Sequence, residues 1–263
     1  YQQVLQYISR KMKKFISKLI RNKNLYPFWK FLNKLSFYGM NYGVASGYAN
    51  YSGELFIIKH LKYSLNAGVI FDVGANVGDW SKFFIKECSN INFKLHLFEP
   101  SKFTFKILKT NLDGNYKFHQ IGFGDKNEQL KLFYDTYHQG NASILNFNSK
   151  KSELIQLKTI DTFCVENKIS KIDFLKMDVQ GFEYNILKGA TKMLENNAIK
   201  FIQFEIDQPS IDNKVYFKDF WDILSEKYDL YQSLYNGIVL IKEYNYEMEN
   251  FRCMNYLAIL KRN

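Results

Sequence analysis

The spacing of apolar residues between positions 69 and 205 predicts strands and helices in regular alternation. Short apolar runs predict strands at about 69–73, 93–98, 116–122, 172–177 and 199–205. Apolar residues at three- and four-residue steps predict helices at about 79–88, 101–112, 159–167 and 182–196. This alternation predicts an α/β fold, with a mostly parallel sheet, right-handed crossovers and helices on both faces.

The flanking segments have other patterns. Residues 1–36 are mostly helical in pattern, an uncharged glycine-rich loop spans 39–53, and a helix follows at 54–63. After a helix at 216–227, consecutive strands at 229–234, 237–242 and 255–261 predict an antiparallel hairpin at one edge of the sheet. We therefore predict a basic helical extension over residues 1–50 and an α/β domain over residues 51–263.

A further pair of short strands interrupts the alternation. Residues 130–134 and 154–157 are predicted to flank a loop from Asp135 to Lys151. The loop lies between the third and fourth core strands, so we predict that it forms a lid over the substrate.

The most informative segment is the end of the first core strand. Asp72 ends an apolar run, and Gly74, Asn76 and Gly78 follow before an amphipathic helix begins. Strand, glycine turn and helix N-terminus form the layout of a nucleotide-binding βα unit. A carboxylate in this turn repels phosphate and suits a cationic ligand, such as the amino-acid end and sulfonium of S-adenosylmethionine.

A second acid stands where this layout requires one. Glu99 ends the predicted second strand, 27 residues after Asp72, and Pro100 stops that strand. In doubly wound folds, an acid at this position hydrogen-bonds a ribose diol. We therefore assign Glu99 and Pro100 to the cofactor site, together with Asp72, Gly74, Asn76 and Gly78.

With these and further motifs, residues 51–205 resemble the FkbM family of S-adenosylmethionine-dependent methyltransferases. The motifs that carry the resemblance are Asp72-Val-Gly-Ala-Asn-Val-Gly78, Phe98-Glu-Pro100, Gly140-Asn-Ala-Ser143, Thr159-Ile-Asp161, Ile172-Asp-Phe-Leu-Lys-Met-Asp-Val-Gln-Gly-Phe-Glu183 and Leu187-Lys-Gly-Ala190. The resemblance implies a Rossmann-like class I methyltransferase fold with a seven-stranded, mostly parallel sheet. It also implies O-methylation of sugars or natural-product hydroxyls. Many family members have Glu where this chain has Gln180, which argues against proton transfer at that position.

Two strand-end acids are the predicted catalytic residues. Asp178 follows the fourth core strand and Glu205 ends the fifth, so both are expected where reacting groups gather in doubly wound folds. The alternatives are a helix N-cap for Asp178 and a solvated strand end for Glu205. His138, in the predicted lid, is a candidate general base because histidine titrates near neutrality, and its alternative is a solvated loop residue.

Further residues are assigned to the cofactor. Asp178 is expected to orient the charged end of the cofactor as well as the acceptor. Gly124 and Asp125 follow the third strand, and the Asp125 carboxylate would accept a hydrogen bond from the adenine amino group. The alternative is an ordinary turn aspartate. Glu54 precedes the first core strand and is expected to reach the cofactor from outside the sheet, unless it only begins a helix capped by Ser52.

Charge is concentrated at the N-terminus. Residues 1–38 hold nine of the 36 basic residues and no acid, so the remaining chain has 27 basic and 26 acidic residues. Apolar residues at helical spacing line one side of this segment, and Tyr26, Phe28, Trp29 and Phe31 follow. We predict peripheral contact of residues 1–38 with a membrane surface. The alternatives are packing on the domain or on a second subunit of a homo-oligomer, and nucleic acid.

The amino-acid composition argues against several classes of protein. Three scattered cysteines and four histidines have no metal-ligand spacing, so we expect no metal and a cytoplasmic protein with reduced thiols, peripheral at the inner face of the membrane. No apolar run approaches the ~20 residues of a membrane span.

The predicted function is transfer of a methyl group from S-adenosylmethionine to a sugar hydroxyl in a surface polysaccharide or lipid-linked glycan. The alternatives are an RNA 2′-hydroxyl and a small natural product. Base amino methylation is disfavoured, since Asp178-Val-Gln-Gly181 stands where the Asn/Asp-Pro-Pro-aromatic turn is expected. A catalytically inactive module is disfavoured by the intact acids and glycines.

Overall fold

The computed structural model describes residues 2–43, 52–134, 144, 149 and 151–262. The chain divides into two compact units, residues 1–42 and 43–263.

The N-terminal unit consists of two helices, α1 (Gln2–Ile20) and α2 (Tyr26–Gly39), joined by a 3-10 turn at Lys23–Leu25. Asn22 caps this turn by accepting a hydrogen bond from the Asn24 backbone N–H at 2.9 Å. Trp29 Nε1 donates to the carbonyl oxygen of Ile20 at 2.7 Å, which ties the start of α2 to the end of α1. Among the described helices of the whole chain, none is long and apolar enough to cross a membrane.

The second unit alternates strands and helices. Its helices are α3 (Glu54–Leu61), α4 (Asp79–Glu87), α5 (Lys102–Asn111), α6 (Ile160–Glu166), α7 (Glu183–Lys188), α8 (Thr191–Glu195), α9 (Gln208–Asp212) and α10 (Phe217–Leu224). Its strands are β1 (Gly68–Val73), β2 (Phe93–Phe98), β3 (Lys117–His119), β4 (Gly122–Phe123), β5 (Glu128–Tyr134), β6 (Lys151–Lys158), β7 (Ile172–Met177), β8 (Ile199–Ile206), β9 (Tyr228–Leu234), β10 (Gly237–Ile241) and β11 (Met254–Leu260). Two further 3-10 turns lie at Lys62–Leu65 and Tyr246–Met248.

The main sheet has the strand order β10-β9-β11-β8-β7-β1-β2-β3. Strands β8, β7, β1, β2 and β3 are parallel, whereas β11, β9 and β10 pair in antiparallel fashion. The order reverses beside β1, between the crossovers to β2 and to β7. In open α/β sheets, ligands bind beyond the carboxyl ends of the strands at such a point.

Both faces of the sheet are covered by helices. On one face, Ile70 and Phe174 pack with Ile57 of α3, Phe84 of α4 and Leu108 of α5, all buried. The opposite face carries an aromatic cluster in which Phe71, Phe98, Phe123, Phe163, His96 and His119 stack or meet edge to face. The predicted Rossmann-like α/β fold, mostly parallel with helices on both faces, is confirmed.

Three details of the prediction were wrong. The main sheet has eight strands instead of the seven that the resemblance implies, although the predicted strand 237–242 is confirmed as its edge strand β10. The predicted strand 116–122 divides, since β3 pairs with β2 whereas β4 leaves the main sheet to pair with β6. The predicted helix 182–196 divides into α7 and α8 at Gly189, whose position leaves no room for a side chain because an added Cβ would lie 2.0 Å from the Gly124 oxygen.

The predicted short strand pair is confirmed and is longer than expected. Strands β5 and β6 pair in antiparallel register from Glu128↔Leu157 to Tyr134↔Lys151, and with β4 they form a separate three-stranded sheet. The predicted lid between them lies outside the described residues, apart from residues 144, 149 and 151.

Candidate functional site

The β1–α4 turn is wedged between the ends of the two neighbouring strands. The backbone N–H groups of Gly74 and Ala75 donate to the Phe98 carbonyl at the end of β2, at 3.1 and 3.0 Å. Gly74 has φ +75°, and a Cβ there would lie 2.0 Å from the Asp178 carbonyl oxygen. Only glycine fits a backbone this close to its neighbour in this conformation.

Glu99 and Asn76 meet at this turn, as their positions in the sequence suggested. The Glu99 carboxylate accepts from the Asn76 N–H at 3.1 Å and from the Ser101 N–H at 2.9 Å. Burial raises the pKa of Glu99 to about 7, although both backbone donors favour its charged form. Glu99 therefore closes the turn and still has acceptor capacity for a further donor, because a carboxylate offers about four lone-pair sites.

Lys176 is the centre of the site. Its side chain is buried in β7, and its ammonium lies 3.1 Å from Asp72 Oδ1 and 3.7 Å from Asp178 Oδ2. The ammonium also lies 3.4 Å from the Gly74 carbonyl oxygen and over the Trp80 ring. Burial opposes the charged ammonium, but the carboxylates of Asp72, Asp178 and Glu54 outweigh it and raise the pKa of Lys176.

Strand register explains this encounter. Asp72 in β1 pairs with Lys176 in β7, and Lys176 pairs with Gln203 in β8. Neighbours in register project to the same face of a sheet, so these three buried side chains form a polar row. Ser81 of α4 completes one end by donating to Asp72 Oδ2 at 2.6 Å.

Glu54 completes the other end of the row. It is buried at the start of α3, where its carboxylate accepts from Gln203 Nε2 and from Ser52 Oγ, both at 3.0 Å. Burial raises the pKa of Glu54 to about 7, against the opposing effect of the Lys176 ammonium. Ser52 Oγ also accepts from the Glu54 N–H at 3.4 Å, so Ser52 contacts both the side chain and the backbone of the acid, although the N-cap residue of α3 is Gly53.

Asp178 begins the loop that joins β7 to α7. The helix starts only at Glu183, after the N-cap residue Phe182, so Asp178 does not cap it. Gln180, with φ +58°, donates from Nε2 to Asp178 Oδ1 at 3.2 Å. The Glu183 carboxylate accepts from the Val179 and Gly181 N–H groups at 2.7 and 3.0 Å and so fixes the loop.

Glu205 lies at the end of β8 and is buried, so the alternative of a solvated strand end is wrong. Its Oε1 accepts from Cys253 Sγ at 3.0 Å and from Asn255 Nδ2 at 3.3 Å. Burial, assisted by the Asp178 carboxylate, raises the pKa of Glu205 well above its ordinary value. The electrostatic influence of Asp178 and Glu54 on this carboxyl places it with the same group of acids.

The remaining predicted residues lie farther along the sheet or outside the described chain. Asp125, after β4, accepts from Asn185 Nδ2 at 3.3 Å and lies 3.9 Å from the Lys188 ammonium. The N–H of the neighbouring Gly124 donates to the backbone carbonyl oxygen of Lys158. Pro100 lies beside Gly122. Gly78 takes φ +92° just before α4. The candidate base His138 lies outside the described residues.

Sequence reasoning missed Lys176 and Gln203. Both stand in apolar strands at positions that alternation assigns to a buried face, and a polar residue there needs a polar partner. That pattern was the available signal, although it could not identify the partners. Asp72 and Lys176 are about a hundred positions apart, and only the pairing of β1 with β7 brings them together.

Acids outnumber cations in this cluster. The carboxyl groups of Asp72, Asp178 and Glu54 surround the Lys176 ammonium, and Glu205 lies within the electrostatic reach of Asp178 and Glu54. Within the described residues, no group of three or more His, Cys, Asp or Glu side chains could hold a metal ion. The surplus of acids around Lys176 favours a ligand that carries positive charge at the end facing β7.

A family model described as the methyltransferase FkbM domain matches residues 72–247, more than half of the chain. No curated protein matches the sequence.

Several solved structures are similar to this chain. The methyltransferase FkbM of Methylobacillus flagellatus is 18% identical with a TM-score of 0.45, and the match covers 73% of this chain and 43% of that protein. An S-adenosylmethionine-dependent O-methyltransferase of Thermotoga maritima is 10% identical with a TM-score of 0.42, covering 80% and 66% of the two chains. The plantazolicin methyltransferase BpumL, in complex with SAH, is 10% identical with a TM-score of 0.44, covering 82% and 86%. This chain thus spans less than half of the M. flagellatus protein.

Removing the Lys176 ammonium should destabilise the fold strongly. In Lys176→Met, the buried carboxylate of Asp72 loses its cation, and breaking a buried pair costs roughly 3–5 kcal/mol. Urea denaturation measures the change. The matched control is Lys82→Met, which breaks the exposed Lys82–Asp79 pair in α4 and should cost about 1 kcal/mol or less. Equal effects of the two substitutions would contradict the central role of Lys176.

Glu54→Gln should stabilise the ligand-free protein at alkaline pH. The folded pKa of Glu54, about 7, exceeds its unfolded value, so the unfolded state ionises first as pH rises. The contribution of the neutral Glu54 carboxyl to wild-type stability is therefore fully present below the pKa of the unfolded state. It is lost as the pH rises through the pKa of the folded state. The neutral amide avoids this loss. Relative to wild type, the variant should gain roughly 1–3 kcal/mol between pH 5 and pH 8.

Denaturation at both pH values measures this gain, with Glu195→Gln as the exposed control. A Glu54 variant whose stability relative to wild type is the same at pH 5 and pH 8 would refute the charge assignment.

Proposed function

The chain belongs to the FkbM methyltransferase family, and we propose that it transfers a methyl group from S-adenosylmethionine to a sugar hydroxyl in a surface polysaccharide or lipid-linked glycan. The observation that supports the proposal is the cluster of acids at the carboxyl ends of β1, β2 and β7. These strands flank the point where the sheet order reverses, and the glycine turn between them brings backbone N–H groups to the same edge.

The residues present fit this cofactor. Its amino-acid end carries an ammonium group and its sulfur is a cation, and the surplus of carboxylates over Lys176 suits both. A cationic ligand would stabilise the ionised forms of these buried acids, whereas a neutral or anionic ligand would not. Glu99 suits the ribose, because a carboxylate at the end of the second strand can accept from both hydroxyls of a diol.

Each residue then has a defined task. Glu99 binds the ribose, and Asp178 and Glu54 face the cationic end, while Asp72 holds Lys176 and Ser81 in place. Gly74, Asn76 and Gly78 bring the backbone of the turn close to the ligand. Asp125 is the proposed acceptor for the adenine amino group, in exchange for its contact with Asn185. When bound, the cofactor supplies an electrophilic methyl group.

The chain must align an acceptor hydroxyl and receive its proton. Alignment alone can contribute roughly 7–11 kcal/mol to lowering the barrier. Asp178 is the proposed proton acceptor because it is partly exposed at the crevice, whereas Glu205 is buried beside it. Burial raises the pKa of Glu205 and the Asp178 carboxylate adds to this effect, so Glu205 is the second proposed catalytic carboxyl. His138 remains a proposed base from the predicted lid.

The acceptor class has a direct test. Methyl-labelled cofactor is incubated with the protein and with cell extract separated into lipid, glycan and RNA fractions. Label in the glycan or glycolipid fraction supports the proposal. Label confined to RNA would overturn the sugar assignment and support a ribose 2′-hydroxyl, and an absence of transfer to every fraction would contradict the activity.

Glu99→Ala should weaken cofactor binding. The substitution removes hydrogen bonds from the ribose to a charged group, which are worth roughly 1.5–3 kcal/mol, so calorimetry should show a loss of about ten- to hundredfold. Glu99→Gln retains one acceptor oxygen, so its affinity for the cofactor should fall between those of wild type and Glu99→Ala. Unchanged affinity in Glu99→Ala would refute the assignment of Glu99 to the ribose.

Asp178→Asn should reduce turnover more than folding. The amide keeps the volume but cannot take a proton, and general-base catalysis contributes about 10²–10⁴-fold. The matched control is Asp173→Asn, because Asp173 lies near the opposite end of β7, away from the site, and accepts from the Val69 N–H. Full turnover by a folded, cofactor-binding Asp178→Asn variant would show that the catalytic assignment is wrong.

A further inference from the structure

The N-terminal unit carries a strong positive charge. All nine of its charged residues are basic: Arg10, Lys11, Lys13, Lys14, Lys18, Arg21, Lys23, Lys30 and Lys34. These side chains are exposed. The unit is therefore a concentrated cationic surface that favours an anionic partner.

Helix α1 separates these cations from its apolar residues. Met12, Ile16, Leu19 and Ile20 recur at helical spacing and fall within an arc of about 100°, while the cations occupy the other side of the helix. The four apolar side chains are 42–59% exposed. A helix with an exposed apolar stripe and a cationic opposite side has the character of an interfacial helix.

Helix α2 adds exposed aromatic residues. Its exposed large side chains are Tyr26, Phe28, Trp29, Phe31, Leu35 and Tyr38. Tyrosine and tryptophan favour the boundary between lipid and water because each combines an apolar ring with a polar group. The hydrogen bond from Trp29 to Ile20 fixes the turn between the helices, so both present their side chains from one compact unit.

We propose that the N-terminal unit is a peripheral anchor that binds anionic lipid surfaces. The cations would lie among anionic headgroups, each contributing about 1 kcal/mol, and the apolar stripe and aromatic rings would enter the headgroup boundary.

The charge pattern disfavours the other partners. Two copies of this unit would each bring nine cations and no acid, so association through it would be repulsive. Phosphate groups of nucleic acid would neutralise the cations but would leave the aliphatic stripe of α1 in water. An anionic lipid surface satisfies both features. The proposal is independent of the reaction that the second unit performs.

Vesicle binding by the full chain tests the proposal. The protein is mixed with phosphatidylcholine vesicles that contain or lack phosphatidylglycerol, and the bound fraction is measured by flotation. We expect binding to the anionic vesicles that weakens with salt, since the Debye length falls to about 3 Å at 1 M. Binding of the protein to vesicles that lack phosphatidylglycerol should be far weaker.

Matched variants separate the two contributions. Lys13, Lys14 and Lys18 are changed together to Gln, and the control changes the exposed body residues Lys106, Lys126 and Lys131 to Gln. The first triple variant should bind about a hundredfold more weakly, whereas the control should bind like wild type. A second pair of variants tests the apolar contribution at high salt, where the charges are screened. The double variant Phe28→Ser with Phe31→Ser should bind vesicles more weakly than wild type, whereas the control Tyr246→Ser, in the second unit, should not.

Four outcomes would overturn the proposal. Equal binding to neutral and anionic vesicles, or equal loss in both lysine triple variants, would remove the charge argument. Salt-sensitive retention of RNA without vesicle binding would assign the unit to nucleic acid. Concentration-dependent self-association that Phe28→Ser with Phe31→Ser abolishes, again without vesicle binding, would assign it to a second copy.

Discussion

The ammonium group of Lys176 is the interaction on which the site depends. It is buried between the ends of the two central strands, at 3.1 Å from Asp72 and 3.7 Å from Asp178. Its 3.4 Å approach to the Gly74 carbonyl links the same cation to the glycine turn. A buried ion pair adds little net stability, because desolvation offsets attraction, but loss of one partner is costly. The pair therefore fixes the relative position of turn and strand ends more than it strengthens the fold.

The surplus of acids makes this site favour a positively charged ligand. Burial raises the pKa of Glu54 and Glu99 to about 7, so the ligand-free protein holds carboxyl groups that are costly to ionise. A bound cation would stabilise their charged forms, and the free energy released would contribute to binding. Groups that reduce stability without a ligand are characteristic of sites selected for binding. The same reasoning accounts for Glu205, whose carboxyl is buried beside Asp178.

Local patterns made part of this site predictable, and tertiary pairing concealed the rest. Asp72, Gly74 and Glu99 were found because their spacing along the chain reflects a single strand–turn–helix unit and the strand after it. Lys176 and Gln203 were missed because their partners lie on strands that are distant in sequence. The division of the predicted strand 116–122 could not be predicted for a related reason. Its second part, β4, pairs with β6, about 35 positions later in the sequence, instead of with β2.

The most direct test is a comparison of two ligands by calorimetry on the intact chain. S-adenosylmethionine carries the ammonium and sulfonium cations, whereas 5′-methylthioadenosine keeps the adenosine and sulfur but lacks both cations. If the acids around Lys176 recognise positive charge, S-adenosylmethionine should bind about ten- to hundredfold more tightly, because charge-assisted hydrogen bonds contribute roughly 1.5–3 kcal/mol. Equal affinity for the two ligands would contradict the account.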